Sequence, residues 1–165
     1  MAAARSARGL CGKQIHNTTG KDMAEQKKRV LFVCIENSNR SQMAEAFARM
    51  HGGEGVESNS AGSRPSGKVN PRAIQFMAEL GYDLSTHGSK SLDEFNGTPV
   101  AVAVTMGCGD YCPLVLAERR EDWNIPDPKE LPDDEFRKVR DLIEEKVKAL
   151  LASLDAPTGQ KDGAA

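Results

Sequence analysis

An unbroken apolar run, residues 30–33, ends at a cysteine and is followed by a polar loop and a helical pattern. A continuous run of this kind is typical of a strand buried on both faces, as in a parallel sheet. In the pattern after it, Met43, Phe47 and Met50 recur at helical spacing and Gly52 ends the helix. In parallel sheets ligands bind at the carboxyl ends of the strands, which is where Cys34 lies.

The same alternation of strand and helix continues along the chain. It predicts an α/β domain whose parallel sheet is covered by helices on both faces. One helix has Asn70 as its cap and Pro71 in its first turn, and Gly81 ends it. The predicted strands are residues 30–33, 55–62, 99–105 and 121–125, and the predicted helices are residues 43–50, 71–81 and 133–154.

Composition narrows the functional classes. A length of 165 residues suits one domain. The formal net charge of −2 gives no basic excess for nucleic acid or an acidic membrane surface. Apolar runs are too short to span a membrane. The four cysteines (11, 34, 108 and 112) match no zinc template, so we expect reactive thiols in a reducing compartment, the cytoplasm.

The two ends of the chain differ from its middle. Residues 1–21 contain no acidic residue and show no apolar periodicity. We expect residues 1–28 to be a disordered extension containing an idle Cys11, and a transit peptide is the alternative. Residues 29–154 form the predicted catalytic domain, and residues 155–165 form a polar, disordered tail.

The loop after the first strand has the composition of an oxyanion site. Main-chain N–H groups between a strand end and a helix start can surround a tetrahedral anion, and Arg40 can grip two of its oxygens. The same field would favour a thiolate at Cys34, to which Ser41 could donate. The alternative is a buried apolar cysteine and a surface arginine. The remaining residues of the predicted oxyanion-binding loop are Ile35, Glu36, Asn37, Ser38 and Asn39.

Three residues further along are candidates for supporting roles. Asp127, between two prolines, could be the acid that protonates a departing oxygen, although by composition alone a simple turn is the better interpretation. Cys108 and Cys112 follow the third strand and would emerge at the same edge of the sheet. Their spacing on a helical turn is about 6 Å, so a disulfide is within reach. The alternative is that both cysteines only pack.

The segment CIENSNRSQMAEAF resembles the phosphate-binding loop of the low-molecular-weight protein tyrosine phosphatase superfamily, and NSNRSQMAEA resembles its arsenate reductase branch. Further similar segments are SAGSRPSGKVNPRAIQFMAELGYDLSTHGSKSL, VTMGCGDYCP and DWNIPDPK, in the order of the family. The resemblance covers roughly residues 29–150. It implies a three-layer fold in which a four-stranded parallel sheet has helices on both faces.

The resemblance also implies a reaction. Cys34 attacks arsenate held by the loop and Arg40, and Asp127 assists the loss of an oxygen. Cys108 then attacks the sulfur of Cys34 and releases arsenite, and Cys112 resolves the disulfide, which an external dithiol reduces. Phosphate and sulfate would be competing anions.

The electron donor stays open at this point, and so does the order in which Cys108 and Cys112 act. Thioredoxin-coupled members of the branch have their two downstream cysteines farther apart than Cys108 and Cys112. TMGCGD is more similar to relatives that use a small thiol, mycothiol or glutathione, with a glutaredoxin-type partner. The branch also implies potassium beside the loop, near Asn37 and Glu45.

Two other functions compete with a reductase. A phosphotyrosine phosphatase would use Cys34, Arg40 and Asp127 alone, but its cleft needs aromatic walls, and here Lys129 and Glu130 follow the Asp-Pro pair. A non-enzymatic anion sensor could dispense with Cys34 or Asp127, and both are present.

Overall fold

A computed structural model of the chain describes residues 27–107 and 115–155. The elements in chain order are β1 (Lys28–Cys34), α1 (Arg40–His51), β2 (Val56–Gly62), α2 (Pro71–Ala78), β3 (Pro99–Thr105), β4 (Leu116–Asp122) and α3 (Asp133–Asp155). Two short 3-10 helices, Leu84–Thr86 and Leu92–Phe95, lie between α2 and β3. The termini and the segment that contains Cys108 and Cys112 lie outside the described residues.

The four strands form one parallel sheet in the order β2-β1-β3-β4. β1 is central, and its apolar residues are fully buried, as the unbroken apolar run predicts. The helices α1, α2 and α3 contribute to the larger hydrophobic cluster, which also contains Phe32 of β1. A smaller cluster on the other face includes Leu31 and Val33, and the 3-10 helix Leu92–Phe95 packs against it. The predicted three-layer α/β fold is confirmed.

The fourth strand was predicted in the wrong place. The sequence pattern indicated residues 121–125, whereas β4 is Leu116–Asp122. β4 is an edge strand whose residues are all exposed or half-buried, so it lacks the apolar run of a central strand. Trp123 and Ile125, which suggested a strand, are buried in the larger cluster as part of the loop that follows β4.

All four strands end at one edge of the sheet. Cys34 pairs in register with Gly62, and Thr105 pairs with both Val33 and Asp122. The loops after β1 and β4 therefore meet at this edge, where parallel sheets bind their ligands. Among the described residues, no helix is both long enough and apolar enough to cross a membrane.

Candidate active site

The loop between β1 and α1, with the residues at its two ends, forms a concave structure that we call the cradle (residues 34–41). Its main-chain carbonyls bond to the chain around it: Ile35 O accepts from Arg64 N at 2.8 Å, Glu36 O from Ser66 N at 2.9 Å, and Ser38 O from Asn70 N at 3.0 Å. Within the described ranges, the N–H groups of residues 36–41 donate to no main-chain carbonyl. They are the donors that a bound oxyanion would use, beside the positive end of α1.

The cradle can form only because β2 ends in glycine. A Cβ atom at Gly62 would overlap the carbonyl oxygen of Ile35 and lie 2.9 Å from the nitrogen of Asn37. Asn37 itself has a φ of 49°, in the left-handed region that asparagine tolerates better than most residues. Gly62 is a site residue that the sequence did not reveal, because its contacts are with a loop distant in the chain.

The nucleophile candidate sits at the centre of a hydrogen-bonded chain. Cys34 is 4% exposed, and its Sγ lies 2.9 Å from Ser41 Oγ. Asn37 Nδ2 donates to Ser41 Oγ at 2.9 Å, so the hydroxyl hydrogen of Ser41 is available to the sulfur. Asn37 Oδ1 in turn accepts from Gln42 Nε2 at 2.9 Å and from Lys90 N at 2.7 Å, which fixes the orientation of the amide.

Arg40 is the first residue of α1 and is nearly buried. Its Nη1 donates to Met106 O at 2.8 Å and to Ile125 O at 2.9 Å. The two bonds occupy both hydrogens of that nitrogen, so an oxyanion would be gripped through Nε and Nη2. They also fix the guanidinium between the chain that follows β3 and the chain that follows β4.

The acid candidate lies on the loop after β4, which we call the acid loop (residues 125–131). Asp127 is exposed, and its Oδ1 accepts from Lys129 N at 3.1 Å, an Asx turn. The acid loop reaches the cradle at two points. Arg40 bonds to Ile125 O as above, and Lys129 Nζ lies 3.6 Å from Glu36 Oε2 at the rim.

A buried polar cluster supports the cradle from behind. Glu45 is 1% exposed, and its Oε2 accepts from Ser60 Oγ at 2.6 Å and lies 3.4 Å from His87 Nδ1. Burial alone would raise the pKa of Glu45, but the hydrogen bonds from His87 and Ser60 and the charge of Lys90 hold it below its usual value.

His87 joins this cluster to the cradle. Its Nδ1 lies 3.0 Å from Gln42 Oε1, and its Nε2 lies 2.7 Å from Tyr82 OH. Because both neighbours of Nδ1 are acceptors, that nitrogen carries the hydrogen. Burial raises the pKa of the Tyr82 hydroxyl. Gln42 and His87 were not predicted from the sequence, since each is unremarkable until the fold brings them together.

The residues present do not fit potassium. Asn37 Oδ1 already accepts two N–H groups, and Glu45 Oε1 accepts from Arg49 at 2.8 Å. Lys90 Nζ lies 3.7 Å from Glu45 Oε2. A hard cation needs oxygen atoms turned towards it, and here they face donors and another positive charge. Within residues 27–107 and 115–155, no group of three or more His, Cys, Asp and Glu residues could hold a metal ion.

Most of the predicted site residues therefore lie together. Cys34, Arg40 and Ser41 share the cradle with the predicted loop residues, and Asp127 follows Ile125, which Arg40 binds. The geometry can hold a tetrahedral oxyanion against a buried sulfur.

Comparisons with known proteins agree with this geometry. The model of the family described as low molecular weight phosphotyrosine protein phosphatase matches residues 29–160. The glutaredoxin arsenate reductase of Synechocystis sp. is 39% identical over 130 residues, which cover 77% of this chain and 98% of that protein. Arsenate reductase 2 of Staphylococcus haemolyticus is 37% identical over 120 residues, covering 71% and 91%.

The solved structures with a similar fold include arsenate reductases as well. The solved structure of an arsenate reductase in the phosphate binding state aligns with a TM-score of 0.71 and 40% identity, covering 76% of this chain and 98% of that one. The family match, the relatives and the solved structure agree. The chain belongs to the low molecular weight phosphotyrosine protein phosphatase family, and the members it is similar to here are arsenate reductases.

Proposed function

We propose that this protein is an arsenate reductase. The observation that carries the proposal is the buried sulfur of Cys34, which lies 2.9 Å from the Ser41 hydroxyl in a cradle whose N–H groups donate to no main-chain carbonyl of the described residues. The names of its relatives, arsenate reductases of Synechocystis and Staphylococcus, support arsenate as the oxyanion. Phosphate and sulfate, which share its tetrahedral shape, are expected to compete.

The first step uses residues of the cradle and the acid loop. The thiolate of Cys34 attacks arsenic and forms a sulfur–arsenic bond, while Arg40 and the N–H groups neutralise the oxyanion. The bond from arsenic to the hydroxyl group opposite the sulfur breaks, and Asp127 gives its proton to that hydroxyl group, which leaves as water. Arsenic is still in its oxidised state at this point.

The second step transfers two electrons. In the relay, the thiolate of Cys108 attacks the sulfur of Cys34, a disulfide forms, and the sulfur–arsenic bonding pair passes to arsenic, giving arsenite. Cys112 then attacks Cys108, which frees Cys34 and leaves the Cys108–Cys112 disulfide for an external dithiol. The alternative is that a small thiol takes the place of Cys108.

The external reductant is part of the proposal. The name of the Synechocystis relative, a glutaredoxin arsenate reductase, favours a glutaredoxin system. The close spacing of Cys108 and Cys112 also favours a small-thiol system over thioredoxin. A mycothiol system is the third candidate. Each needs a reducing compartment such as the cytoplasm.

A phosphatase is the second candidate, since the family model is named for that activity. The same cradle and Asp127 would hydrolyse a phosphate ester. The rim argues against a large aryl ester, because Lys129 and Glu36 face each other there as a charged pair, 3.6 Å apart, where a phenyl ring would need aromatic walls.

The deciding experiment compares reductants side by side. Arsenate-dependent NADPH oxidation is measured with thioredoxin, glutaredoxin with glutathione, and mycothiol systems, for the full chain and for Cys108→Ser, Cys112→Ser and the matched control Cys11→Ser. We expect the full chain to turn over arsenate with one of the three systems. Cys108→Ser and Cys112→Ser should lose this turnover, and Cys11→Ser should keep it. Turnover retained in both would replace the relay by direct transfer to the small thiol. Absence of arsenate-dependent oxidation, with efficient hydrolysis of a small aryl phosphate, would show a phosphatase.

A further inference from the structure

The acid loop is poor in main-chain donors. Asp127 lies between Pro126 and Pro128, neither of which has an N–H group. The segment can therefore be held in place through its carbonyl oxygens. Upstream of Asp127, Ile125 O accepts from Arg40 Nη1 at 2.9 Å.

Downstream of Asp127, a second arginine holds the loop. Arg72 Nη1 donates to Lys129 O at 3.0 Å and lies 3.4 Å from Pro128 O. The candidate acid thus stands between carbonyls that two arginines hold, one from the cradle and one from α2. The Asx turn that fixes the Asp127 carboxylate uses the N–H of Lys129, the residue whose carbonyl Arg72 binds.

Arg72 is itself held by residues of two helices, α2 and α3. It is the second residue of α2, and its Nη2 pairs with Asp133 Oδ1 at 3.0 Å, where α3 begins. Its guanidinium carbon lies 4.8 Å from the ring centroid of Phe136 and 5.7 Å from that of Phe76. Contacts of this kind with aromatic faces hold a planar guanidinium in one orientation.

We infer that Arg72 is a positioning residue for the general acid: it holds the Lys129 carbonyl so that Asp127 stays over the cradle. This inference rests on the proposed function, in which Asp127 donates a proton. Arg72 contributes no group to the oxyanion itself, so its loss should lower the rate of the chemical step and leave anion binding unchanged. Misplacement of a catalytic group by a small distance is enough to lower a rate strongly.

The test compares Arg72→Ala with Arg72→Lys and with Arg137→Ala. Arg137 is the matched control, because its guanidinium also lies over Phe76, at 4.9 Å, while its ion pairs go to Glu79 and Asp134. We expect Arg72→Ala to lower kcat for arsenate about tenfold, with KM and phosphate inhibition unchanged. Arg72→Lys should recover part of the loss, and Arg137→Ala should have the kcat of the unaltered protein.

A double-mutant cycle separates positioning from a structural role. If Arg72 acts through Asp127, then Arg72→Ala in an Asp127→Asn background should lower kcat by less than about twofold. The inference would be overturned if the two substitutions lowered kcat independently, so that their fold-changes multiply, or if Arg137→Ala lowered kcat as much as Arg72→Ala. The cycle is repeated with hydrolysis of a small aryl phosphate. If Arg72 and Asp127 are coupled in phosphate hydrolysis but the protein does not turn over arsenate, the role of Arg72 is supported and the proposed arsenate reductase function is wrong.

Discussion

The cradle and the acid loop meet at one edge of the sheet but are held there in different ways. The cradle is continuous in sequence and is held at several points: its carbonyls accept main-chain N–H groups, the side-chain amide of Asn37 bonds to Gln42, and Gly62 leaves room for the loop. The acid loop presents an exposed Asp127, and the carbonyls on either side of that residue accept from Arg40 and Arg72. The anion site is thus built into the fold, whereas the acid is placed by a few side chains. Changes in the main chain of the cradle should therefore affect anion binding, and changes in the nucleophile or the acid loop should affect the rate.

The largest effect is expected at the nucleophile. Cys34→Ser should reduce arsenate turnover to the background rate, because a serine hydroxyl does not ionise near neutral pH and cannot carry the sulfur–arsenic bond. Phosphate binding and the melting temperature should stay close to those of the unaltered protein. Coupled NADPH oxidation and calorimetric titration with phosphate measure the two properties. Turnover above background in this variant would remove Cys34 from the mechanism.

The next effect tests whether binding depends on the backbone of the cradle. Gly62→Ala should weaken phosphate binding and arsenate kcat/KM by about a hundredfold, because the added methyl group displaces the carbonyl of Ile35. The matched control is Gly55→Ala, where a Cβ has nothing within 4 Å. Phosphate titration of both variants is the measurement. If both variants bound phosphate equally well, the cradle could shift to accommodate the methyl group and still bind the anion.

The acid loop should show the opposite pattern. Asp127→Asn is expected to lower kcat for arsenate about a hundredfold, the usual scale for loss of a general acid. Phosphate inhibition should be unchanged, since the cradle supplies the binding groups. Steady-state kinetics with phosphate as the inhibitor separate the two quantities. A near-normal kcat would show that another group donates the proton.

The cluster behind the cradle should act on stability. The folded pKa of Glu45 lies below its usual 4.5, so its contribution to stability is full above that pH and is lost as the pH falls through the folded value. Glu45→Gln should lower the free energy of unfolding by about 2 kcal/mol at pH 7, and the difference should shrink in acid. Urea unfolding at several pH values measures it. Glu135→Gln, at an exposed pair with Lys138, is the control and should change the free energy of unfolding far less than Glu45→Gln does. A difference that persists in acid would contradict the assignment.

The smallest effect concerns monovalent cations. Because Lys90 and the donors around Asn37 and Glu45 face the oxygens that potassium would need, replacing sodium by potassium should change kcat/KM by less than about twofold. The comparison is made at constant ionic strength. A larger stimulation by potassium would show that Lys90 can be displaced.

Sequence reasoning succeeded where the information is local. The buried run of β1, the helix that begins at Arg40 and the thiol between them are adjacent in the chain, so their pattern predicts both fold and anion loop. It misplaced β4, because an edge strand with alternating exposure has no continuous apolar run. It did not find His87 or Arg72, since their partners lie in other elements and only the folded chain brings them together.

The outward-facing carbonyls of the cradle have an evolutionary consequence. In the proposed function the anion is bound by main-chain N–H groups and Arg40, so the side chains of Ile35 and Glu36 would take no part in binding it. Glu36 is exposed at the rim, where it faces Lys129. A lineage could therefore change which molecules reach the sulfur through single substitutions at Glu36 and Lys129, while the chemistry below stays the same. The cradle and its sulfur would then act on a different set of substrates with no change in the loop itself.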